Sequence, residues 1–500
     1  MKNLKAFLSL LCVLAMILCS LTACKPTEKE PTPIQSDEAT ESDSATEQET
    51  LAETKFDYES GDRLDPTLDF GDEEFSIYTW NTQGVIEWVE AESESMSQVD
   101  RVLYQRLGDI EERLNLSFKI TTVPGRYDQR ISFVETLQNY SITGLAPDLV
   151  CQYSLASTIA MLKGLYSDLT VSRHIDFSAP WWNDSLVEGN KIRDRLYYIT
   201  GDAAPSILYG MYGVQFNKDL LNVYHLESPY ELVRDGSWTY SRMLGLIKDT
   251  SLNPNTNNQY GGSEENVMYG LVVHKLAVDA FQAGFGVVAV QKNDDGAWVF
   301  SRDFTGSKAV DAVDTIRRIV YENTDVFYDM DTQWANMIFI DEHTIFSVDT
   351  MNSVEAEILN YGMKVGVVPV PKFDAAQTDY ATRVGVAISV FAVPKETQDF
   401  DRSTAVLEAF GSNGYHKVTP VIFEKMFCAR YADAPDDSEM FMKIRDSIVY
   451  DPGNFHDSLG TFSAFRNCVR QNISWDTFLE ERMTRFVNAL SEVNKMDVES

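Results

Sequence analysis

Residues able to carry catalytic chemistry are dispersed along this sequence rather than grouped. No phosphate-binding glycine loop, dinucleotide-binding glycine motif, serine-hydrolase elbow or His-Glu-x-x-His metal motif is present. Asp329-x-Asp331 is too short a fragment to predict a calcium loop, and no pair of cysteines has zinc-ligand spacing. The six histidines stand apart, at positions 174, 225, 274, 343, 416 and 456. We therefore predict no catalytic residues, no metal and no cofactor, a pattern that favours binding without turnover.

The composition excludes several classes of protein. The 500 residues include 42 Lys+Arg against 76 Asp+Glu, a formal net charge of −34, and nucleic-acid binding needs clustered basic residues instead. Apolar residues at 44% and aromatic residues at 12% predict a folded chain. A length of 500 exceeds one ordinary hydrophobic core, so we expect two or more lobes. The acidity fits a neutral or cationic solute, and disfavours an anionic one unless its site is locally basic.

The first 23 residues predict a lipoprotein signal peptide. Lys2 and Lys5 precede an apolar run over 6–21, which is short for a spanning helix of about 20 residues. Leu-Thr-Ala-Cys at 21–24 resembles the lipobox of bacterial lipoproteins, in which the cysteine becomes the lipid-bearing N-terminus. The resemblance implies a palmitate-type lipid on Cys24 and an outward-facing anchor in the cell membrane, on a Gram-positive cell surface. An ordinary secretory signal and an uncleaved anchor are the alternatives.

Residues 24–70 predict a disordered acidic tether. The stretch 24–60 holds 3 Lys+Arg against 11 Asp+Glu, a net charge of −8, and is almost free of aromatic residues. Such a segment buries too little apolar surface to offset its loss of conformational entropy. Once the signal and this stretch are subtracted, −28 remains on the folded part.

The cysteines left after processing are odd in number. Cys151 stands in an apolar run and predicts a buried thiol. Cys428 and Cys468 could form a disulfide, but nothing in the sequence establishes one.

Strand-like and helix-like patterns alternate, which predicts an α/β protein with a largely parallel sheet. Ser237 is the expected N-cap of a helix over 238–248, and Asn-Asp-Asp-Gly at 293–296 predicts a hairpin turn. The predicted strands are 74–80, 116–120, 148–151, 209–216, 287–290, 297–300, 344–348, 364–368 and 384–393. The other predicted helices are 100–114, 129–139, 154–165, 307–321, 404–410, 438–446 and 475–493.

Several stretches, in the same order, resemble the lipoprotein solute-binding proteins of ABC importers, the extracellular solute-binding family 1, which mostly bind saccharides. Ala-Pro-Asp-Leu-Val at 146–150 is similar to that family's Pro-Asp strand. Asn-Lys-Asp-Leu-Leu at 217–221 is close to the motif that enters the second lobe. The likeness spans roughly 72–495 and includes further pieces at 164–169, 195–202, 366–372, 418–420 and 449–451.

The resemblance implies a two-lobe, type II periplasmic-binding-protein-like fold. Lobe 1 is expected over 71–210 plus about 390–425, and lobe 2 with the C-terminal helices over 211–389 plus about 426–500. Strands that cross between the lobes act as hinges, and solute is trapped when the lobes close over the cleft.

Crossings are implied near 208–217 and 386–393, with a third near Val418. We expect Gly210 and Gly213 to ease the backbone rotation at the first crossing.

Aromatic platforms and side chains that hydrogen-bond sugar hydroxyls are expected at strand ends that face this cleft. The maltose-binding relatives carry Trp after the Pro-Asp strand where this chain has Gln152, which argues against a maltodextrin. Core packing is the alternative for Trp80, Tyr209 and Tyr212, a turn or cap for Asp202, and helix-end packing for Trp334. The candidate ligand-binding residues are Trp80, Asn81, Gln152, Tyr153, Asp202, Tyr209, Tyr212, Trp334, Asp349 and Asn352.

The resemblance implies a monomeric, lipid-anchored receptor that captures an oligosaccharide and delivers it to the permease subunits of an ABC importer. The expected partners are the solute, the permease and, through the lipid, the membrane, with no nucleic acid among them. A surface-anchored glycan hydrolase and a solute sensor that is not coupled to transport are the alternatives.

Overall fold

The computed structural model describes residues 59, 61–81, 87–252, 267–356, 361–423 and 434–496. They belong to one compact unit, Asp57–Ser500. The predicted signal peptide, Cys24, most of the predicted tether and Cys428 lie outside the described residues.

The strands of the described residues form two mixed sheets and one hairpin. The hairpin lies where the turn motif predicts it, because the Asn293 side chain accepts a hydrogen bond from the Ala297 backbone N–H at 2.9 Å. The strands are β1 (Glu73–Trp80), β2 (Leu116–Val123), β3 (Leu149–Tyr153), β4 (Tyr212–Asn217), β5 (Tyr269–His274), β6 (Val290–Lys292), β7 (Trp298–Phe300), β8 (Val326–Asp329), β9 (Thr344–Thr350), β10 (Val365–Val368) and β11 (Ser389–Ala392).

Helices connect and pack against these strands, and several helix ends follow local capping chemistry. Ser97 Oγ accepts the Asp100 N–H at 3.1 Å, and the Asp100 carboxylate accepts the Ser97 N–H at 2.9 Å. The helices are α1 (Gln98–Leu114), α2 (Arg130–Thr143), α3 (Ser154–Leu162), α4 (Asp184–Asn190), α5 (Ser206–Tyr209), α6 (Lys218–Val223), α7 (Pro229–Arg234), α8 (Tyr240–Ile247), α9 (Ala277–Gly284), α10 (Arg302–Thr305), α11 (Ser307–Tyr321), α12 (Ala335–Ile340), α13 (Met351–Ala356), α14 (Phe400–Asn413), α15 (Thr419–Phe423), α16 (Ala434–Asp446), α17 (Pro452–Phe455), α18 (Ala464–Gln471) and α19 (Trp475–Lys495).

The first sheet has the strand order β11-β3-β1-β2. β1 runs parallel to β2 and β3, and β11 joins antiparallel to β3 with Val390 opposite Gln152. All five residues of β3 are buried, as expected for a parallel strand covered on both faces.

The second sheet has the order β10-β4-β9-β5-β8. β5 is parallel to β8 and β9, whereas β4 is antiparallel to β9 and β10. The carboxyl ends of β5, β8 and β9 therefore meet the amino end of β4 at one edge of the sheet.

Two chain segments cross side by side between the sheets. The Tyr212 N–H donates to the Arg383 carbonyl oxygen at 3.0 Å, and the Gly385 N–H donates to the Gly210 carbonyl oxygen at 2.8 Å. They lie near the two crossings that the sequence predicts. The third predicted crossing begins in a π-helical turn, Gly414–Val418, and the chain after α15 leaves the described residues at 423.

Gly210 and Gly213 serve close packing at the first crossing. A Cβ atom on Gly210 would lie 2.9 Å from Ile388 Cγ2, and one on Gly213 would lie 2.8 Å from Val367 Cγ2. Gly210 has a φ of −82°, which any residue adopts. Close packing is therefore what these glycines serve in this arrangement of the lobes, and their predicted easing of the backbone rotation stays a prediction.

Two local predictions need correction. The extended segment expected from Tyr209 is split, because α5 occupies Ser206–Tyr209 and β4 begins only at Tyr212. The N-cap of α8 is Thr239, whose side chain accepts the Arg242 N–H. The predicted cap at Ser237 is wrong because the helix begins only at Tyr240, and the fully buried Trp238, whose indole N–H donates to the Pro369 carbonyl oxygen at 2.8 Å, precedes it.

The last ten residues of the predicted tether are described and belong to the folded body. Arg113 donates two hydrogen bonds of 2.7 Å to the Asp62 carboxylate, and the Leu64 side chain is buried in the core. Cys151 is a buried free thiol, as predicted, and the Cys468 thiol is also buried and free. The disulfide considered between Cys428 and Cys468 is not tested, because Cys428 lies outside the described part of the chain.

Candidate functional site

A cavity of about 610 Å³ lies where the two crossings meet the edge of the second sheet. Residues at the carboxyl ends of β5 and β9 line one side of it, and α5 with residues 383–387 lines another. Ligands of open α/β sheets bind at the carboxyl ends of the strands, so this cavity is the candidate site.

Sheet register brings three of its side chains together. Val273 pairs with Val348 in the parallel β5–β9 ladder, which places His274 beside Asp349 just beyond it. Tyr212 pairs with Thr350 across the antiparallel β4–β9 ladder, so its ring reaches the same edge.

His274 and Asp349 form a close pair, with 3.6 Å between Nε2 of the ring and Oδ1 of the carboxylate. Burial tends to raise the pKa of Asp349, but His274 and the Thr350 N–H, which donates at 2.7 Å, hold that pKa below its usual value. Asp349 is therefore a carboxylate at neutral pH, ready to accept hydrogen bonds from a ligand.

A second charged group in the cavity combines two arginines and one aspartate. Arg466 Nη1 donates to Asp279 Oδ2 at 2.7 Å, and Arg383 Nη2 lies 3.9 Å from the same oxygen. Arg383 is anchored by hydrogen bonds to the Asn454 side chain at 2.8 Å and the Phe462 carbonyl oxygen at 2.9 Å. This group carries a formal charge of one positive unit.

Two tyrosines supply the aromatic surface of the cavity. Burial raises the pKa of both Tyr209 and Tyr212 well above the usual range, and the nearby Glu355 carboxylate adds to the effect at Tyr209. Both hydroxyls stay protonated at physiological pH and remain able to donate hydrogen bonds.

Four of the predicted ligand-binding residues line this cavity: Tyr209, Tyr212, Asp349 and Asn352. The structure places the other six elsewhere.

Trp80 and Tyr153 lie in the core of the first lobe. Their rings meet edge to face with 5.1 Å between centroids, and Trp80 Nε1 donates to Ser389 Oγ at 2.9 Å. Core packing, which was the alternative for Trp80, is what the structure shows.

Gln152 and Asn81 make local hydrogen bonds in the same lobe. Gln152 is fully buried and its Oε1 accepts from the Tyr166 hydroxyl at 2.7 Å. The Asn81 side chain accepts the Gly125 N–H at 2.9 Å, which joins two loops at the end of the sheet.

Asp202 and Trp334 lie at other places. Asp202 faces a second cavity of about 580 Å³, where its carboxylate accepts from the Thr419 hydroxyl and from Arg445 Nη2. The partly buried Trp334 packs against a small apolar cluster beside α12. Gln333 and Ala335, which flank Trp334 in the sequence, line the 610 Å³ cavity.

The sequence reasoning missed His274, Asp279, Arg383 and Arg466. The apolar run Tyr-Gly-Leu-Val-Val before His274 is a strand signal that would have placed this histidine at a strand end. The two arginines had no comparable signal, since Arg383 lies within a crossing and Arg466 lies on α18, far along the chain.

No group of three or more His, Cys, Asp or Glu side chains with metal-binding geometry occurs among the described residues. Within the same residues, no helix is long and apolar enough to span a bilayer.

Comparison with solved structures finds many proteins of the same architecture. The sugar-binding protein MalE from Xanthomonas citri superposes with a TM-score of 0.56 at 13% identity, covering 85% of this chain and 100% of that one. A cyclo/maltodextrin-binding protein complexed with maltotetraose gives 0.52 at 13% identity, covering 85% and 97%. An ABC substrate-binding protein from Listeria monocytogenes in complex with cycloalternan gives 0.51 at 14% identity, covering 86% and 100%. No family model matches the sequence, and no curated protein sequence matches it.

Because the sequence identities are only 13–14%, these structural similarities establish the fold of the chain alone. The chain has the two-lobe α/β architecture of type II periplasmic binding proteins, as predicted. The predicted resemblance to the sugar-binding proteins of ABC importers is confirmed at this level.

Proposed function

We propose that the protein is a solute-binding receptor that captures an oligosaccharide by closing its lobes over the 610 Å³ cavity. One observation carries the proposal: a cavity of ligand size is lined by the paired crossings and by polar strand-end side chains. The sugar ligands of the fold neighbours support the substrate class.

The chemistry of the cavity suits a polyhydroxylated ligand. Asp349 and Asn352 offer oxygens that accept from pairs of hydroxyl groups, and Tyr212 offers a protonated hydroxyl. The rings of Tyr209 and Tyr212 offer apolar faces for the C–H surface of a sugar.

Isothermal titration against a broad glycan panel tests the proposal. We expect micromolar or tighter binding of some oligosaccharide, weakened roughly tenfold or more by Asp349→Asn, because a hydrogen bond to a charged group contributes about 1.5–3 kcal/mol. Asp295→Asn, on the exposed hairpin turn, is the matched control and should bind as the native protein does. A response to peptides or polyamines, with none to any glycan, contradicts the proposal.

The same panel separates the alternatives. A receptor leaves the glycan intact over hours, whereas new reducing ends that disappear in the Asp349→Asn variant would establish a hydrolase. Genes for two permease subunits beside the coding gene support delivery to an ABC importer, and a histidine kinase gene without them supports sensing.

We further propose that Cys24 is lipidated and anchors the receptor to the outer face of the cell membrane through the acidic tether. The Leu-Thr-Ala-Cys sequence at 21–24 supports this placement. Fractionation should find the native protein with the membranes and labelled by palmitate. The Cys24→Ala variant should carry no label and should be either released into the medium or left with its signal peptide uncleaved. Label on the Cys24→Ala protein would overturn the assignment.

A further inference from the structure

The cavity lacks the excess of negative charge that the chain as a whole carries, because its lining pairs two arginines, Arg383 and Arg466, with two carboxylates, Asp279 and Asp349. The chain carries −34, yet Arg466 and Arg383 flank a single carboxylate, Asp279, at 2.7 and 3.9 Å. We propose that the captured glycan is acidic, with a uronic acid carboxylate bound by Arg466; this rests on the proposed function and narrows its substrate class. The sequence-based expectation of a neutral or cationic solute allowed one exception, a locally basic site.

Arg466 is the accessible member of the charged group. Its side chain is 16% exposed, against 4% for Arg383 and 3% for Asp279. Nη1 is occupied by Asp279, and the guanidinium lies over the Phe462 ring at 5.2 Å, which fixes its orientation. A fixed guanidinium binds a carboxylate with less loss of side-chain entropy than a mobile lysine does.

The remaining edge of this guanidinium has the geometry that a carboxylate needs. Nε and Nη2 of Arg466 donate to no residue in the described part of the chain. Together they form the side edge of the guanidinium, with two parallel N–H groups that match the two oxygens of a carboxylate. Two sugar hydroxyls can also accept from this edge, but only a carboxylate adds ion-pair attraction to the two hydrogen bonds.

His274 is a further polar group of this cavity that a ligand can engage. The side chain is 8% exposed, it lines the same cavity, and neither ring nitrogen makes a hydrogen bond to a described residue. Every tautomer of the ring carries at least one N–H, and the Asp349 carboxylate lies 3.6 Å from Nε2. A ligand carboxylate bound at Arg466 leaves Asp349 to accept from the sugar hydroxyls, so the two charged groups serve different parts of one ligand.

The decisive experiment compares glycans that differ only in the carboxylate. Short oligomers of galacturonic, glucuronic and mannuronic acid are titrated calorimetrically beside their methyl esters and beside neutral glucose, galactose and mannose oligomers. We expect at least one acid to bind tenfold or more tightly than its ester. Equal or tighter binding of every ester, or binding of neutral glycans alone, overturns the uronate inference and leaves the receptor proposal standing. Failure of every acidic, esterified and neutral glycan overturns the proposed function itself.

Variants of Arg466 assign the effect to this side chain. Arg466→Gln should weaken binding of the acid tenfold or more and leave binding of the ester within twofold, while Arg466→Lys keeps part of the preference. Arg470→Gln, an exposed arginine on the same helix, is the matched control and should change neither. Because Arg466→Gln leaves Asp279 less compensated, Asp279→Asn combined with Arg466→Gln keeps the test valid if the single variant folds poorly. Equal weakening of acid and ester in that double variant contradicts the role of Arg466.

Discussion

At the scale of single residues, the carboxyl group of Glu408 shows how burial alters acid–base behaviour in this fold. The side chain is fully buried on α14, and its Oε2 accepts hydrogen bonds from Trp182 Nε1 at 2.9 Å and from the Asp176 N–H at 3.3 Å. Burial raises the pKa of Glu408 to about 8, although the Trp182 hydrogen bond opposes the rise. The folded protein therefore retains a proton here that the unfolded chain releases above pH of about 4.5.

This proton linkage predicts a pH dependence of stability. Between about pH 4.5 and 8 the folded state binds more protons than the unfolded state, so the free energy of unfolding falls as pH rises through this window. If Glu408 acted alone, the loss would reach roughly 3–5 kcal/mol. Glu408→Gln keeps the acceptor for Trp182 and carries no charge, so urea unfolding at pH 5, 6.5 and 8 should show a shallower decline than the native protein shows. An unchanged decline would mean that other groups set the pH dependence.

Residue types alone located part of the candidate site. Tyr209, Tyr212, Asp349 and Asn352 line the cavity because each stands near a crossing or a strand end of lobe 2. Gln152 was chosen by the same rule in lobe 1, but it is buried inside β3. A strand covered on both faces has no alternation of apolar and polar residues, so its sequence does not tell which side chains face a cleft.

Arg466 shows a second reason why sequence reasoning is incomplete. It reaches the cavity from α18, which packs beside α9, and this long-range placement follows from tertiary packing. No local pattern around Arg466 marks it as different from Arg470 on the same helix.

At the scale of elements, β1, β2, β3 and the hairpin turn were predictable because their patterns are local, whereas the strand predicted over 384–393 is shortened to β11 (Ser389–Ala392) and the one predicted over 287–290 is shifted to β6 (Val290–Lys292). β1, β2 and β3 lie where apolar runs bounded by turn residues place them, within a few residues. α5 was not predictable in this way, because its four residues occupy an apolar stretch that reads as extended, and Pro205 starts the helix there. Short helices at a crossing depend on tertiary contacts more than on propensity.

The π-helical turn Gly414–Val418 is another element that tertiary contact determines. A Cβ atom on Gly414 would lie 1.9 Å from the Asp202 carbonyl oxygen, so this turn packs directly on the backbone beside the second cavity. Nothing in the local sequence indicates that approach, although it fixes where Thr419 meets the Asp202 carboxylate.

At the scale of the whole molecule, the two cavities lie on opposite sides of the crossings. Ser206 and Tyr209 of α5 face the 610 Å³ cavity, and Ile207 and Leu208 face the 580 Å³ cavity. If the lobes close over the first cavity as proposed, we expect the same rotation to spread the walls of the second.

An ion pair joins the walls of the second cavity across the two lobes. Asp202 belongs to the first lobe, where its N–H donates to the Trp181 carbonyl oxygen at 3.0 Å. Arg445 belongs to α16, which packs on β10 of the second sheet, and its Nη2 lies 3.1 Å from Asp202 Oδ2. In the proposed closure this cavity widens and the pair is lengthened, so we expect the pair to stabilise the arrangement observed here relative to a closed one.

Removing this pair should therefore move stability and affinity in opposite directions. Arg445→Gln leaves the buried Asp202 carboxyl with the Thr419 hydroxyl alone, and we expect a loss of about 1–3 kcal/mol in the free energy of unfolding. The same variant should bind the glycan identified by titration about threefold to tenfold more tightly, because less energy opposes closure. Combining it with Asp202→Asn removes the uncompensated carboxyl, so the double variant should regain stability and keep the tighter binding. Urea unfolding and calorimetry measure the two quantities, and weaker or unchanged glycan binding in both variants would show that the pair does not restrain the lobes.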